Sequence, residues 1–265
     1  MPEGHSVHRV AKLFRENLVS QSVKISSPQG RFASAARLVS GQVLLDSRAI
    51  GKQMFLTFDN DLSIRIHLGI YGKWQFQELD GSIPKPVGQV RARFLGGNFL
   101  ADLRGPTACE VLTPEEVKKL EARLGPDPLS NKPSNSEAVR FVKNVHSKKA
   151  PIGALLMDQS VISGIGNVYR AELLFRNRLN PYMPGNLVPE QVLLETWLDA
   201  VKLMKIGVRR GVMLTRDDFL TGKVLAEDRH FVYKREGLEC RVCGSRIQLE
   251  TLLSRKLYFC PDCQR

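Results

Sequence analysis

The sequence predicts an α+β fold, with a β-rich first half, a helical second half and a small cysteine module at the end. Three observations carry this. Alternating apolar residues run through about 22–110. Apolar residues at helical spacing dominate the stretch after a Pro/Ser/Asn-rich segment at 125–136. Four of the five cysteines lie beyond residue 239. With 265 residues, 43% of them hydrophobic, the chain is long enough to bury sizeable cores.

Ser6 to Leu18 reads as a helix, with Val7, Val10, Ala11, Phe14 and Leu18 on one face and Ser6 capping the start. Two alternating runs then meet across Asp59-Asn60-Asp61. In the second, Leu62, Ile64 and Ile66 face one way and Ser63, Arg65 and His67 the other. VRARFLGGNFLADLRG reads as a hairpin about Gly96-Gly97-Asn98. In TPEEVKKLEARLG, Thr113 caps a helix, Pro114 takes its first position, Glu116 completes a capping box and Gly125 ends it. GPDPLSNKPSNS, residues 125–136, reads as a linker. A long helix follows Pro189, with Val192, Trp197, Val201 and Met204 along one stripe. The last thirty residues read as short strands and cysteine knuckles.

Charge narrows the function. Lys and Arg outnumber Asp and Glu by 39 to 27, a net charge of +12 with a pI near 9.7. Residues 201–265 hold 14 Lys and Arg against 8 Asp and Glu. Such a field attracts polyanions: DNA, RNA or an anionic membrane surface. No run approaches the roughly 20 apolar residues of a spanning helix. A basic segment followed by an apolar one is missing at the start, so no signal peptide is expected and the cytosol is the expected compartment.

The cysteines read as C-x2-C-x16-C-x2-C: Cys240, Cys243, Cys260 and Cys263. Each pair lets a tight knuckle present two thiolates, and two knuckles complete a tetrahedron. Zn²⁺ fits four thiolates best, in a closed structural site. Disulfides are disfavoured in the cytosol. Arg241, Arg246, Arg255 and Lys256 are placed to offset the −2 charge of such a site. Upstream, Gly164-Ile165-Gly166-Asn167 precedes a helical stretch. Glycines there let backbone N–H groups approach an anion at the helix start. Tyr169 in place of a third glycine argues against a dinucleotide fold.

Taken together, these features resemble the formamidopyrimidine-DNA glycosylase and endonuclease VIII family, closest to its actinobacterial-type endonuclease VIII-like branch. The resemblance runs through Pro2-Glu3, Gly51-Lys52, His67-Leu68-Gly69, the stretch LLMDQSVISGIGNVYRAELLFRNRLNP and the cysteine module with Arg255. It implies an N-terminal antiparallel β-sandwich flanked by helices (1–125), a linker (126–136), a helix–two-turns–helix domain (137–228) and a β-hairpin zinc finger with one structural Zn²⁺ (229–265). It further implies that removal of Met1 exposes Pro2 as a secondary-amine nucleophile. Glu3 handles protons beside it, and Lys52 assists base release. His67, Asn167 and Arg255 contact phosphates, and Ile70-Tyr71 wedges into the space of an everted nucleotide.

Three departures stand out. His5-Ser6 occupies the place where the family often has Pro-Glu. Asp102-Leu103-Arg104-Gly105-Pro106-Thr107 replaces the Asp-Pro-Arg-Arg-Phe-Gly of the formamidopyrimidine enzymes. Gly153 stands where those enzymes carry a lysine. Cys109 reads as a core residue. The expectation is a monomeric, cytoplasmic, bifunctional glycosylase and abasic-site lyase acting on damaged double-stranded DNA and excising oxidised pyrimidines by β,δ-elimination. Three alternatives stay open: an oxidised-purine glycosylase with relaxed opposite-base choice, a catalytically silent zinc-finger DNA-binding protein, and a basic RNA-binding protein.

Overall fold

The computed structural model describes residues 2–131, 134–219 and 224–265. Met1, residues 132–133 of the expected linker and residues 220–223 of the expected helical domain lie outside the described residues. The chain divides into two compact units, Met1–Arg123 and Leu124–Arg265.

The first unit opens with α1 (Gly4–Leu18), whose buried face carries Val7, Ala11, Phe14 and Leu18. The helix starts two residues earlier than Ser6 predicted. Glu3 occupies the extended N-cap position, and the Ser6 hydroxyl donates to the Glu3 carbonyl at 2.8 Å. Ser6 therefore tightens the first turn instead of capping it. Strands β1 (Lys24–Ser26) and β2 (Leu44–Ile50) flank the short helix α2 (Ala33–Val39). They are followed by β3 (Gln53–Phe58), β4 (Ser63–His67), β5 (Lys73–Glu78), β6 (Val90–Gly96), β7 (Phe99–Arg104) and β8 (Ala108–Leu112).

Two four-stranded antiparallel sheets result, in the orders β1-β6-β7-β5 and β2-β3-β4-β8. Their inward residues share one core. Met54, Leu56, Ile64 and Ile66 come from one sheet, Ala92, Phe94, Ala101 and Leu103 from the other. Phe14 of α1 meets Trp74 and Phe94 edge-on at 5.0 and 5.4 Å. The alternation read in β4 holds for Ile64 and Ile66, buried, against Arg65 and His67, half-buried, but Ser63 is buried as well, its hydroxyl bonded to that of Thr57 at 3.0 Å, and Leu62 is only half-buried. Helix α3 (Pro114–Glu121) has the expected capping box between Thr113 and Glu116.

That helix ends at Glu121 and not at Gly125. Gly125 belongs to the second unit, where its N–H donates to the Gln159 carbonyl at 2.8 Å. A Cβ there would lie 2.6 Å from the Val161 carbonyl carbon, so close backbone approach selects the glycine. Residues 125–128 are buried.

The second unit contains α4 (Ser134–His146), α5 (Ile152–Leu155), α6 (Asn167–Arg176), α7 (Glu190–Arg210) and the hairpin β9 (Gln248–Leu252) with β10 (Arg255–Phe259). On α7, Trp197 and Met204 are buried and Val192 and Val201 half-buried, as the stripe predicted. Gly211 ends the helix in the left-handed region at φ 73°. Helix α6 is buried along 167–175 and serves two cores at once. Tyr169, Leu173 and Leu174 face the helices, while Ala171 and Phe175 pack against Cys240, Ile247, Tyr258 and Cys260. Glu172 of α6 is fully buried. Its carboxylate accepts from the N–H groups of Phe231, Val232 and Tyr233 at 2.8 Å each and from the Thr215 hydroxyl. Among the described residues no helix is long and apolar enough to cross a membrane.

Candidate active site and nucleic-acid interface

In the first unit the candidate residues gather at one end of a sheet. Helix α1 runs along β2 in the opposite sense: Ser47 Oγ donates to the Ala11 carbonyl at 2.9 Å, and Arg15 reaches Asp46 and the Ser47 carbonyl. From Ala11 back to Gly4 a helix covers roughly 10 Å. From Ser47 on to Ile50 a strand covers about the same. The start of α1 and the turn from β2 into β3 therefore lie towards the same end of the helix–strand pair.

That turn is Gly51-Lys52, closed by the Ile50–Gln53 pair, with Gly51 at φ 56°. Gln53 pairs in turn with His67 on β4. Burial, then Arg65, then Lys52 push the His67 pKa down. At neutral pH His67 is thus a neutral imidazole, fit to hydrogen-bond a phosphate and not to neutralise it.

Beyond His67 the chain turns through Gly69, at φ 64°, and the Gly72 N–H donates to the Leu68 carbonyl at 2.9 Å. Ile70 is 51% and Tyr71 82% exposed, so neither is sheet core. The turn is buttressed from behind. The Thr107 N–H donates to the His67 carbonyl at 2.9 Å, and a Cβ on Gly69 would fall 1.8 Å from Thr107 Oγ1. The replaced segment 102–107 is thus a brace for the Ile70-Tyr71 turn. Arg104 is folded back onto the Val87 carbonyl and Gln75, both at 2.9 Å, and Asp102 is held bidentate by Arg93.

Glu3 is fully buried although it begins a helix, and its carboxylate makes no cap hydrogen bond. Pro2 is half-buried. His5 is buried too. Burial first, then His8, the amine at the chain start and Arg9 push its pKa down to about 4. Between about 6.5 and 4 the unfolded chain therefore binds the proton that folded His5 refuses, and stability falls as pH falls. The full loss is on the order of 3 kcal/mol. Urea midpoints at pH 7 and 4.5 should drop further for the native protein than for His5→Leu. Equal drops would mean that His5 is not the group responsible. Cys109 is half-buried against the same core it was expected to join, and burial lifts its thiol to about 12, which leaves it protonated.

In the second unit the glycine turn has a narrower use than the sequence suggested. Gly164, at φ 92°, donates its N–H to Gln159 Oε1 at 3.0 Å, so that amide braces the turn. The start of α6 follows this turn and is itself buried. Asn167 is buried there, and its Nδ2 donates to the Lys256 carbonyl at 2.8 Å. Arg170, which sequence reasoning missed, donates from one nitrogen to Asn167 Oδ1 at 2.5 Å and to the Lys256 carbonyl at 2.8 Å. These bonds tie α6 to the hairpin strand that presents Arg255 and Lys256, both exposed. The signal available in the sequence was an arginine inside the apolar run NVYRAELLF. Gly153 fits here as well: a Cβ would press on the Pro181 carbonyl at 3.0 Å and Leu252 at 3.1 Å. Arg170→Met should cost about 2–3 kcal/mol of stability in this unit. It should weaken duplex binding about tenfold with zinc retained, and fluorescence anisotropy would settle it; unchanged affinity would exclude the positioning role.

The four cysteines of the module converge, their sulfurs all within 4.8 Å of one another, with Cys240–Cys263 at 3.9 Å and Cys243–Cys260 at 3.4 Å. A tetrahedral zinc–thiolate site has sulfur–sulfur edges of about 3.8 Å, so the residues fit the ion. Burial, and then neighbouring thiols, push Cys260 and Cys263 up as thiols, a crowding that a bound cation relieves. Of the four basic residues near it, Arg241 is bonded to the Glu227 carbonyl and paired with Asp228, and Arg246 is bonded to the Gly237 carbonyl. Arg255 and Lys256 remain at the surface.

Comparison with known proteins agrees in each part. Residues 1–109 match the formamidopyrimidine-DNA glycosylase N-terminal domain, 124–218 the formamidopyrimidine-DNA glycosylase H2TH domain, and 237–265 the zinc finger found in FPG and IleRS. The chain is 44% identical over 271 residues to Endonuclease 8 1 of Mycobacterium tuberculosis, covering all of both chains. It is 27% identical to the formamidopyrimidine-DNA glycosylase of Thermus thermophilus, over 100% of this chain and 98% of the other. The crystal structure of the Thermus thermophilus protein superposes with a TM-score of 0.79 at 25% identity, covering 99% and 98%. A Lactococcus lactis Fpg complex with abasic-site DNA superposes at 0.80 and 19% identity, covering 99% of each, a likeness of fold.

Proposed function

The chain belongs to the formamidopyrimidine-DNA glycosylase family of DNA glycosylases with abasic-site lyase activity, and from that premise we propose that it excises oxidised pyrimidines from duplex DNA through Pro2. With Met1 removed, the Pro2 nitrogen attacks C1′ of an everted nucleotide. An α-amine titrates near 8, so a neutral fraction exists at neutral pH. The glycosidic bond breaks, and its electron pair leaves with the base. Ring opening gives an iminium between Pro2 and C1′. That iminium acidifies the C2′ proton, whose loss expels the 3′ phosphate; a second elimination expels the 5′ phosphate, and water releases the enzyme.

Glu3, buried beside the nucleophile, serves the proton transfers and steadies positive charge developing at the sugar. Lys52 at the adjoining turn assists base release and meets the phosphate next to it. Ile70 and Tyr71 fill the space the nucleotide leaves. His67 and Arg255 contact the backbone. Asn167 acts from the start of α6, its side chain holding the hairpin in place. The protein works as a monomer with one structural zinc, in the cytoplasm.

The observation that carries the pyrimidine reading is the wedge. Two exposed side chains come from one buttressed turn, and Arg104 is folded back onto the sheet. Ile-Tyr-Gly resembles the Leu-Tyr-Gly of endonuclease VIII, and the 44% relative is itself an Endonuclease 8. Single-turnover excision should run at least about tenfold faster on duplexes with thymine glycol or dihydrouracil than on 8-oxoguanine, a difference of about 1.4 kcal/mol in barrier. The reverse order would establish an oxidised-purine enzyme instead.

A further inference from the structure

The tip of the zinc-module hairpin carries a feature that zinc binding and phosphate contact leave unexplained. Arg255 pairs with Leu252, so the turn between β9 and β10 is the two residues Leu253 and Ser254. Both lie in the left-handed region, at φ 47° and 59°. A two-residue turn with two positive φ values is what Asn-Gly or Asp-Gly adopts without strain; a leucine there is held against its preference. Its side chain gains nothing locally in return. Leu253 is 74% exposed, beside Leu252, which packs onto the helical core. The outer half of the hairpin stands in solvent, with Arg255 and Lys256 exposed and Leu257, Tyr258 and Phe259 buried at its base. Strain that a turn keeps at an exposed apolar residue, at the end of a cationic hairpin, points to a use outside the fold.

We propose that Leu253 is an apolar DNA contact, seated against deoxyribose faces of the bound duplex while Arg255 and Lys256 engage the flanking phosphates. This rests on the DNA-binding reading above. The chemistry favours it. Deoxyribose offers C–H faces at the groove wall, and burying an aliphatic side chain against them needs no hydrogen-bond partner. Charge brings the hairpin to the duplex, and the turn conformation holds Leu253 at the leading point.

The test uses the full zinc-loaded chain and a fluorescent duplex with a tetrahydrofuran abasic analogue. Leu253→Asn supplies a residue suited to the left-handed turn and removes the apolar group. The thermal midpoint should stay level or rise, while duplex affinity falls about five- to tenfold. The slope of log affinity against log salt should stay that of the native protein, because no phosphate contact is lost. Leu253→Met keeps the apolar contact and should bind within about twofold of native. Arg255→Ala, run in parallel, should lose affinity and flatten the salt slope by about one ion. Native affinity in Leu253→Asn with weakened Arg255→Ala overturns the Leu253 contact and leaves the DNA-binding reading intact. Equal loss in Leu253→Asn and Leu253→Met overturns it as well. Native affinity in all three removes the hairpin from the interface altogether.

Discussion

Glu3→Gln should lower base excision by about 10²–10⁴-fold, the usual worth of a positioned proton-transfer group. Cleavage of a preformed abasic site should fall far less, because the base has already left and Pro2 needs only an aldehyde to form its imine. Glu3 sits at the helix N-cap position without capping the helix, and it is fully buried. Gln preserves its shape and removes its proton chemistry. Comparing single-turnover rates on a lesion duplex and an abasic duplex separates the two steps. Equal losses on both would mean that Glu3 acts on the lyase step and not on base release.

Removing the zinc should have a comparably large effect on binding. Cys240 and Cys260 are buried with Ala171, Phe175, Val232, Ile247 and Tyr258 in one small cluster. Structural zinc sites of this type contribute on the order of 10 kcal/mol to the fold of their module. Chelation, or Cys260→Ser, should therefore unfold the hairpin that presents Arg255 and Lys256. Duplex affinity should fall at least about 100-fold through lost phosphate contacts. Hydrogen exchange should show the β9–β10 amides losing protection while the two sheets of the first unit keep theirs. Undiminished DNA binding by the zinc-free protein would show that the hairpin is not a binding element.

Much of this was legible from the sequence wherever the signal was local. The C-x2-C pairs specify a four-sulfur site through their spacing, and the α7 stripe follows from its period. The Thr113–Glu116 box is a contact over three residues, and it formed. The misses share a cause, which is that tertiary contact overrode a local preference. Ser6 is the better N-cap residue type, yet Glu3 holds that position. Gly125 looked like a helix stop; close approach to Val161 is what requires it. Arg170 and Glu172 looked like two polar residues on a helix. One fastens the zinc hairpin to the glycine turn, and the other gathers three backbone N–H groups some sixty residues away. Nothing within one turn of either residue reveals those partners. The same holds for the 102–107 segment, whose departure from the family pattern was visible but whose role as a brace needed the Thr107–His67 bond.

The central claim is that the Pro2 nitrogen is the nucleophile, and one measurement addresses it directly. The Met-processed protein is mixed with an abasic-site duplex, reduced with borohydride, digested, and the covalent product mapped by mass spectrometry. The account predicts one stoichiometric adduct on the N-terminal peptide, carried by the Pro2 nitrogen, and none when Met1 is retained. An adduct on Lys52 or another lysine, or no adduct at all, would contradict it.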